Sequence, residues 1–282
     1  MTDFVVYDVF TDAPFGGNPL AVIPDARRLA EGDLMRITRE FNFSETTFVY
    51  PSESCDARVR IFTPGSELAF AGHPTVGTAV ALAALGRAPS EMVLELGVGP
   101  IPVTVNGTHA RFETRVPLEV GEAPGVAEVA ACLGLPEDAI KTANHAPVSA
   151  GLGTDFVLVE IADRAALLAA APSLDDFRRV EDRGAMRLGI FLYVRAGDAI
   201  DARMFAPLGG IMEDPATGSA SAALAAYLGR LDGTSQTFSI RQGVDMGRPS
   251  AITAEVVVAG GTPEMVAISG NAVRVMEGRL TL

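Results

Sequence analysis

The amino-acid sequence predicts an α+β fold of two pseudo-symmetric lobes, each with strands gathered around one central helix. Three observations predict it. The chain echoes itself: Arg60-Ile61-Phe62-Thr63-Pro64 followed by Gly72-His73-Pro74-Thr75-Val76-Gly77-Thr78-Ala79 returns as Arg203-Met204-Phe205-Ala206-Pro207 followed by Glu213-Asp214-Pro215-Ala216-Thr217-Gly218-Ser219-Ala220. The pairs Pro74/Pro215, Gly77/Gly218 and Ala79/Ala220 share an offset of 141 residues and Arg60/Arg203 one of 143, too long a period for a solenoid, so the repeating unit is a whole lobe. The composition, 48% hydrophobic and 20% charged over 282 residues, suits a globular chain long enough for two domains of roughly 100 to 200 residues. Finally, the two echoed segments are rich in small residues and nearly free of charge, so each helix should lie buried inside its own sheet.

Alternating or β-rich runs at Phe4–Phe10, Thr46–Tyr50, Ala57–Phe62 and Met92–Leu96 read as strands, and Val103–Glu113 reads as a hairpin folded at Asn106-Gly107. The second half repeats the grammar at Phe156–Ile161, Gly189–Val194, Ala199–Phe205, Thr237–Arg241, Ala251–Val258 and Met265–Glu277. Helices are expected at Pro24–Phe41, Pro74–Leu85, Gly125–Leu133, Asp163–Ala171, Asp175–Arg183 and Pro215–Leu231, the two echoed ones with Pro at the first position. Pro117 to Pro124, with Gly121 and two acids, reads as the linker. It divides the chain into an N-terminal lobe, residues 1–120, and a C-terminal lobe, residues 121–282, with a cleft between them.

Charge and cysteine usage exclude several functions. Lys and Arg number 22 against 35 Asp and Glu, a net charge of −13 that repels phosphate backbones and argues against nucleic acid as a partner. No apolar run approaches the ~18 residues of a membrane span. The N-terminal Met1–Asp8 lacks the pattern of a signal peptide, which gives a cytoplasmic expectation. Cys55 and Cys132 are too few for a disulfide framework and show no metal spacing.

Candidate chemistry gathers at the two echoed helix starts. Free backbone N–H groups and the helix dipole there favour a substrate carboxylate, and His73 and Asp214 precede the two helix bodies. The plainer alternative is that Pro, Gly, Thr and Ser only cap and pack buried helices. Glu45, flanked by Ser44 and two threonines at a strand entrance, is either a carboxylate projecting into a cleft or a solvated turn residue. His109 and His145 read as structural or exposed. Gly151-Leu152-Gly153-Thr154-Asp155-Phe156 lacks the third glycine and the following helix of a nucleotide fingerprint. No histidine spacing suits a metal, and no nucleophile elbow occurs.

Taken together, Asp8-Val9-Phe10-Thr11, Gly17-Asn18-Pro19-Leu20-Ala21-Val22, Asn42 to Val49, Phe70-Ala71-Gly72-His73-Pro74-Thr75, Glu213 to Ala220, Gln242 to Ser250 and Ser269-Gly270-Asn271-Ala272-Val273 closely resemble the PhzF-type phenazine-biosynthesis isomerases, relatives of diaminopimelate epimerase in fold. The resemblance implies that each lobe is a rolled, mostly antiparallel sheet around its helix, with a site that uses neither cofactor nor metal. It makes Glu45 the catalytic acid/base, completed by His73 and Asp214, with Ser44, Gly72, Gly218 and Ser219 binding substrate. It also implies a homodimer acting on a small anionic carboxylate, as the family's defining isomerisation of trans-2,3-dihydro-3-hydroxyanthranilate does. Shifting a double bond beside a carboxylate means removing a proton at one carbon and delivering one at another, work that a single carboxyl group can perform. Two rivals remain: a two-base racemase or epimerase with one thiol per lobe, disfavoured by the positions of Cys55 and Cys132, and a non-catalytic ligand-binding protein.

Overall fold

A computed structural model of the chain describes residues 1–182 and 189–281. Arg183, the expected last residue of one helix, lies outside the described residues. The chain divides into two compact units, Met1–Thr114 with Ala267–Leu282, and Arg115–Val266.

The first unit begins with β1 (Thr2–Val9), β2 (Asn18–Ile23), α1 (Glu31–Phe41), β3 (Glu45–Tyr50), β4 (Ala57–Phe62) and β5 (Glu67–Leu68). It continues through α2 (Gly72–Ala84), β6 (Glu91–Leu96), β7 (Gly99–Asn106) and β8 (His109–Thr114). The second unit holds β9 (Glu119–Gly121), α3 (Val126–Leu133), β10 (Val148–Gly151), β11 (Asp155–Glu160), α4 (Arg164–Ala169) and α5 (Leu174–Glu181). It goes on with β12 (Ile190–Ala196), β13 (Ala199–Ala206), β14 (Ile211–Asp214), α6 (Gly218–Asp232), β15 (Gln236–Gln242) and β16 (Ser250–Ala259), and the last strand is β17 (Thr262–Leu280).

In the first unit the strands join in the cycle β17, β1, β2, β3, β4, β6, β7, β8 and back to β17, a closed eight-stranded barrel. Closure leaves no unpaired edge among those strands. β2–β3 and β4–β6 are parallel neighbours, each pair connected across a helix. α2 packs against β1, β2, β3, β7 and β8, and Gly72 through Leu82 are all buried. That is why its residues are small and uncharged: a helix enclosed by strands has no polar face to offer. Gly77 marks the tightest approach, since a Cβ there would stand 2.6 Å from both Leu20 Cδ2 and Val9 Cγ2.

The second unit repeats the pairing. Parallel β11–β12, antiparallel β12–β13 and β13–β14, parallel β13–β15 and antiparallel β15–β16 reproduce β2–β3, β3–β4, β4–β5, β4–β6 and β6–β7. α6 packs on β10, β11, β15 and β16. Val157 and Val159 of β11, with Ile161 just past its end, pack in a cluster with Val129, Leu133, Leu167, Phe177 and Val180 of α3, α4 and α5, as the two-residue period of a strand requires. The Arg-x-Phe echo acquires a structural meaning. Arg60 lies over the Phe62 ring at 5.0 Å and forks to Glu67 on β5; Arg203 lies over Phe205 at 4.7 Å and forks to Glu213 on β14.

Four expectations need correction. The unit boundary is not 120/121 with the C-terminus in the second lobe, because β17 runs back to pair with β1 from Thr2↔Leu280 to Val9↔Ala272. The supposed linker Pro117–Pro124 contains β9, paired antiparallel with β10. Pro74 is the third residue of α2 and Pro215 precedes α6, so neither occupies the first helical position. α1 begins only at Glu31 because the preceding segment is tied elsewhere: Ala26 N–H donates to Val49 C=O, and the Asp25 carboxylate accepts the Arg27 N–H.

Candidate active site

The first unit brings Glu45 and His73 together. α1 stops at Asn42, whose left-handed conformation (φ 52°) closes the helix with its N–H on Thr38 C=O. The chain then passes Ser44, whose hydroxyl donates to the Asn18 side-chain oxygen at 2.8 Å, and enters β3 at Glu45 opposite Leu20. His73 is the second residue of α2, and its Nδ1 stands 3.5 Å from Glu45 Oε2. Both side chains are enclosed, His73 at 4% exposure and Glu45 at 13%. Burial lowers the His73 pKa to about 3, outweighing the Pro19 carbonyl that favours the charged ring. The contact is therefore not an ion pair at neutral pH. It is a carboxyl group beside a neutral imidazole, somewhat beyond ideal hydrogen-bond length, so a small movement lets a proton be exchanged or a substrate atom be gripped.

Neither echoed helix start has a side-chain cap or an acid in its first turn, whereas Asp163 caps α4 by accepting the Ala166 N–H at 2.8 Å. Capping residues therefore do not consume the amide donors at Gly72 or Gly218, and the plainer reading of these segments as ordinary caps loses its main support.

In the second unit Asp214 ends β14 and is buried. Its Oδ2 accepts the Thr217 hydroxyl in a short contact. Gln242, fully buried at the end of β15, donates from Nε2 to the Asp214 carbonyl at 2.8 Å and to Thr217 Oγ1 at 3.0 Å, while its Oε1 accepts the Thr217 N–H at 3.0 Å. Gly218 and Ser219 then open α6. The units are alike in topology but not in chemistry. With Thr46 opposite Phe62 and Ile190 opposite Phe205, the counterpart of Glu45 is Gly189, where a Cβ would meet the Phe205 carbonyl at 2.4 Å. The second unit has no room for a matching carboxylate.

The sequence matches the family described as "Phenazine biosynthesis-like protein" over residues 7–278. The chain belongs to this family. A trans-2,3-dihydro-3-hydroxyanthranilate isomerase of Pseudomonas aeruginosa is 37% identical, with both chains covered in full. An uncharacterised isomerase of Mesorhizobium japonicum is 36% identical over 99% of this chain and 98% of its own. The crystal structure of a PhzF-family phenazine biosynthesis protein from Bacillus anthracis superimposes with a TM-score of 0.90 at 26% identity, covering 100% of this chain and 99% of the other. The protein is a PhzF-like isomerase with the mixed α+β architecture of that family.

Asn18, Thr217 and Gln242, which hydrogen-bond the candidate residues Ser44 and Asp214, are not singled out by the sequence: each stands within a family motif, but the bonds join residues with no periodic spacing. His145 and His109 are as expected: the first is buried with Nε2 2.7 Å from the Tyr193 hydroxyl, and the second is exposed at the start of β8. The glycine fragment at 151–156 runs from the end of β10 into β11, turning at 152–154 with Gly153 at φ 91°. Among the described residues no group of His, Cys, Asp and Glu could hold a metal ion, and no helix is long and apolar enough to cross a membrane.

Proposed function

We propose that the protein moves a proton and a double bond within a small anionic carboxylate without a cofactor, and that trans-2,3-dihydro-3-hydroxyanthranilate, the compound named for its Pseudomonas relative, is the substrate to test first. The observation that carries this reading is the enclosed Glu45–His73 contact at the uncapped start of α2. In the forward step a C–H bond breaks toward Glu45 and its electron pair enters the conjugated system. A carbon further along then takes a proton from the carboxylic acid, which returns Glu45 to its starting state. Neutral His73 orients Glu45 or relays the second proton. Asp214 is assigned to turnover as well, and Ser44, Gly72, Gly218 and Ser219 to substrate binding, through hydroxyl and main-chain donors suited to a carboxylate. The protein acts as a cytoplasmic homodimer in this reading.

Thiol-based racemisation is the weaker account. Cys132 lies buried in α3, where desolvation pushes its pKa up to about 12, and Cys55 lies in the loop before β4. The test is incorporation of solvent deuterium into the dihydro compound. Wild type should exchange and isomerise it, and Glu45→Gln should lose roughly 10²- to 10⁴-fold. A folded Glu45→Gln enzyme that keeps more than about a tenth of wild-type turnover refutes the role of Glu45.

A further inference from the structure

We infer that Gln242 and Thr217 form a directional hydrogen-bond relay that positions the Asp214 carboxylate for reaction. The inference rests on the proposed participation of Asp214 in turnover. Its basis is the polarity of the contacts. The amide of Gln242 cannot be turned over, because its oxygen meets a fixed donor, the Thr217 N–H at 3.0 Å, and its nitrogen meets a fixed acceptor, the Asp214 carbonyl at 2.8 Å. With that orientation set, the second Nε2 hydrogen points at Thr217 Oγ1, 3.0 Å away. A hydroxyl that accepts from one side donates to the other, so the Thr217 proton is committed to Asp214 Oδ2. Oδ2 is thereby held as the acceptor of the Thr217 hydroxyl, which fixes the rotation of the carboxylate about its side chain.

Two further features hold the backbone before and after Asp214. Glu213, the preceding residue, is gripped through both oxygens by Arg203 at 2.8 Å. The same guanidinium donates to the Leu167 and Ala170 carbonyls at the end of α4, at 2.9 and 2.7 Å. β14 is thus anchored before Asp214 and the loop is anchored after it. A Cβ on Gly243, the residue following Gln242, would meet the Pro215 carbonyl at 2.6 Å, so the backbone beside Gln242 already lies against this loop. Gln242 and Thr217 are positioning residues in this account, since they act through Asp214.

The experiment is a double-mutant cycle with turnover of trans-2,3-dihydro-3-hydroxyanthranilate as the rate, joined to a carbon-13 spectrum of aspartate-labelled protein in which the Asp214 carboxyl signal is assigned by its loss in Asp214→Asn. Thr217→Val should lower kcat roughly 10- to 100-fold, the kinetic counterpart of one charge-assisted hydrogen bond, with KM little changed. Thr217→Ser, which keeps the hydroxyl, should recover most of that loss. Gln242→Glu places an acceptor where the donor stood, draws the Thr217 proton away from Asp214, and should reproduce Thr217→Val. In the Asp214→Asn background Thr217→Val should have no further effect. The Asp214 signal should move in Thr217→Val and Gln242→Glu and stay in place in Thr217→Ser. If Thr217→Val fails to fold, Thr217→Ala takes its place.

An unmoved Asp214 signal overturns the relay whatever the substrate proves to be. So does a Thr217→Val penalty that persists undiminished without Asp214, or one expressed only in KM. Full activity in Asp214→Asn, by contrast, overturns the underlying reading of Asp214 and is recognisable as that separate failure.

Discussion

Gly77→Ala tests whether the seat of α2 sets the geometry of the Glu45–His73 pair. The added methyl would lie 2.6 Å from Leu20 Cδ2 and Val9 Cγ2, so about 0.8 Å must be found before contact becomes ordinary at 3.4 Å. Val9 cannot give way easily: it is β-branched, fully buried, and belongs to a strand paired on both sides. Leu20 is also fully buried, leaving movement of the helix itself as the main relief. Overpacking of this kind costs about 1 to 3 kcal/mol, offset by about 1 kcal/mol of helix propensity on replacing Gly. The net loss is about 1 kcal/mol, which lowers Tm by about 2 to 4 °C in a chain of this size. The effect on rate should be larger than that on stability. His73 is four residues upstream and Glu45 pairs across from Leu20, so the displacement falls on the 3.5 Å gap between them. A misplacement near 1 Å can cost about 100-fold, and a few tenths of an ångström about tenfold. Thermal melts and turnover measured on the same preparation decide the matter. Gly32→Ala on α1, where an added Cβ meets nothing within 4 Å, is the control and should be neutral or stabilising in both. Wild-type turnover with an unchanged or raised Tm in Gly77→Ala refutes the seating argument.

Other outcomes follow from features already described. His73 is depressed to about 3 in the fold against 6.5 unfolded, so the unfolded chain binds the extra proton between those values. Its contribution to stability is complete above pH ~6.5 and drains away as pH falls toward about 3, by at most ~1.4 kcal/mol per unit. Urea unfolding at pH 7 and 4.5 should show wild type losing more stability than His73→Gln, and parallel losses exclude the effect. Replacing both thiols, Cys55→Ser with Cys132→Ala, should leave turnover intact; complete loss in a folded double variant restores the racemase account. Light scattering at micromolar concentration should return twice the 29.4 kDa of one chain, and a value near 29.4 kDa counts against the dimer.

The features legible in the sequence were those carried by local pattern. Ala57–Phe62 alternates cleanly and is β4 to the residue, and Asn106-Gly107 marks the β7–β8 turn. The uncharged stretch after His73 is the enclosed helix. β2 was illegible because Gly17-Asn18-Pro19 reads as a turn, and the short apolar run Leu20–Ile23, buried on both faces, has no alternation to betray it. The partners of β17 and β9 were illegible for a different reason: composition marks a strand but not the edge it joins. Within the candidate site, Glu45 and His73 stand out in the sequence because a carboxylate and an imidazole announce chemistry by type, and the fold brings the two together. Gln242 does not, since its role consists of contacts to a loop 25 to 28 residues earlier.

The pairing of β1 with the last strand has a consequence for biosynthesis. As the chain leaves the ribosome, the strands from β1 through β8 emerge first, yet the place between β1 and β8 stays vacant until residues 267–280 have been made. The second unit, continuous from Arg115 to Val266, is free to assemble earlier. The nascent protein therefore matures out of sequence, and its first-made unit waits with two unsatisfied strand edges, the kind of surface that invites pairing with another chain. A premature stop ahead of residue 267 would leave the place between β1 and β8 unfilled in the unit that holds Glu45 and His73, although both residues had been synthesised long before.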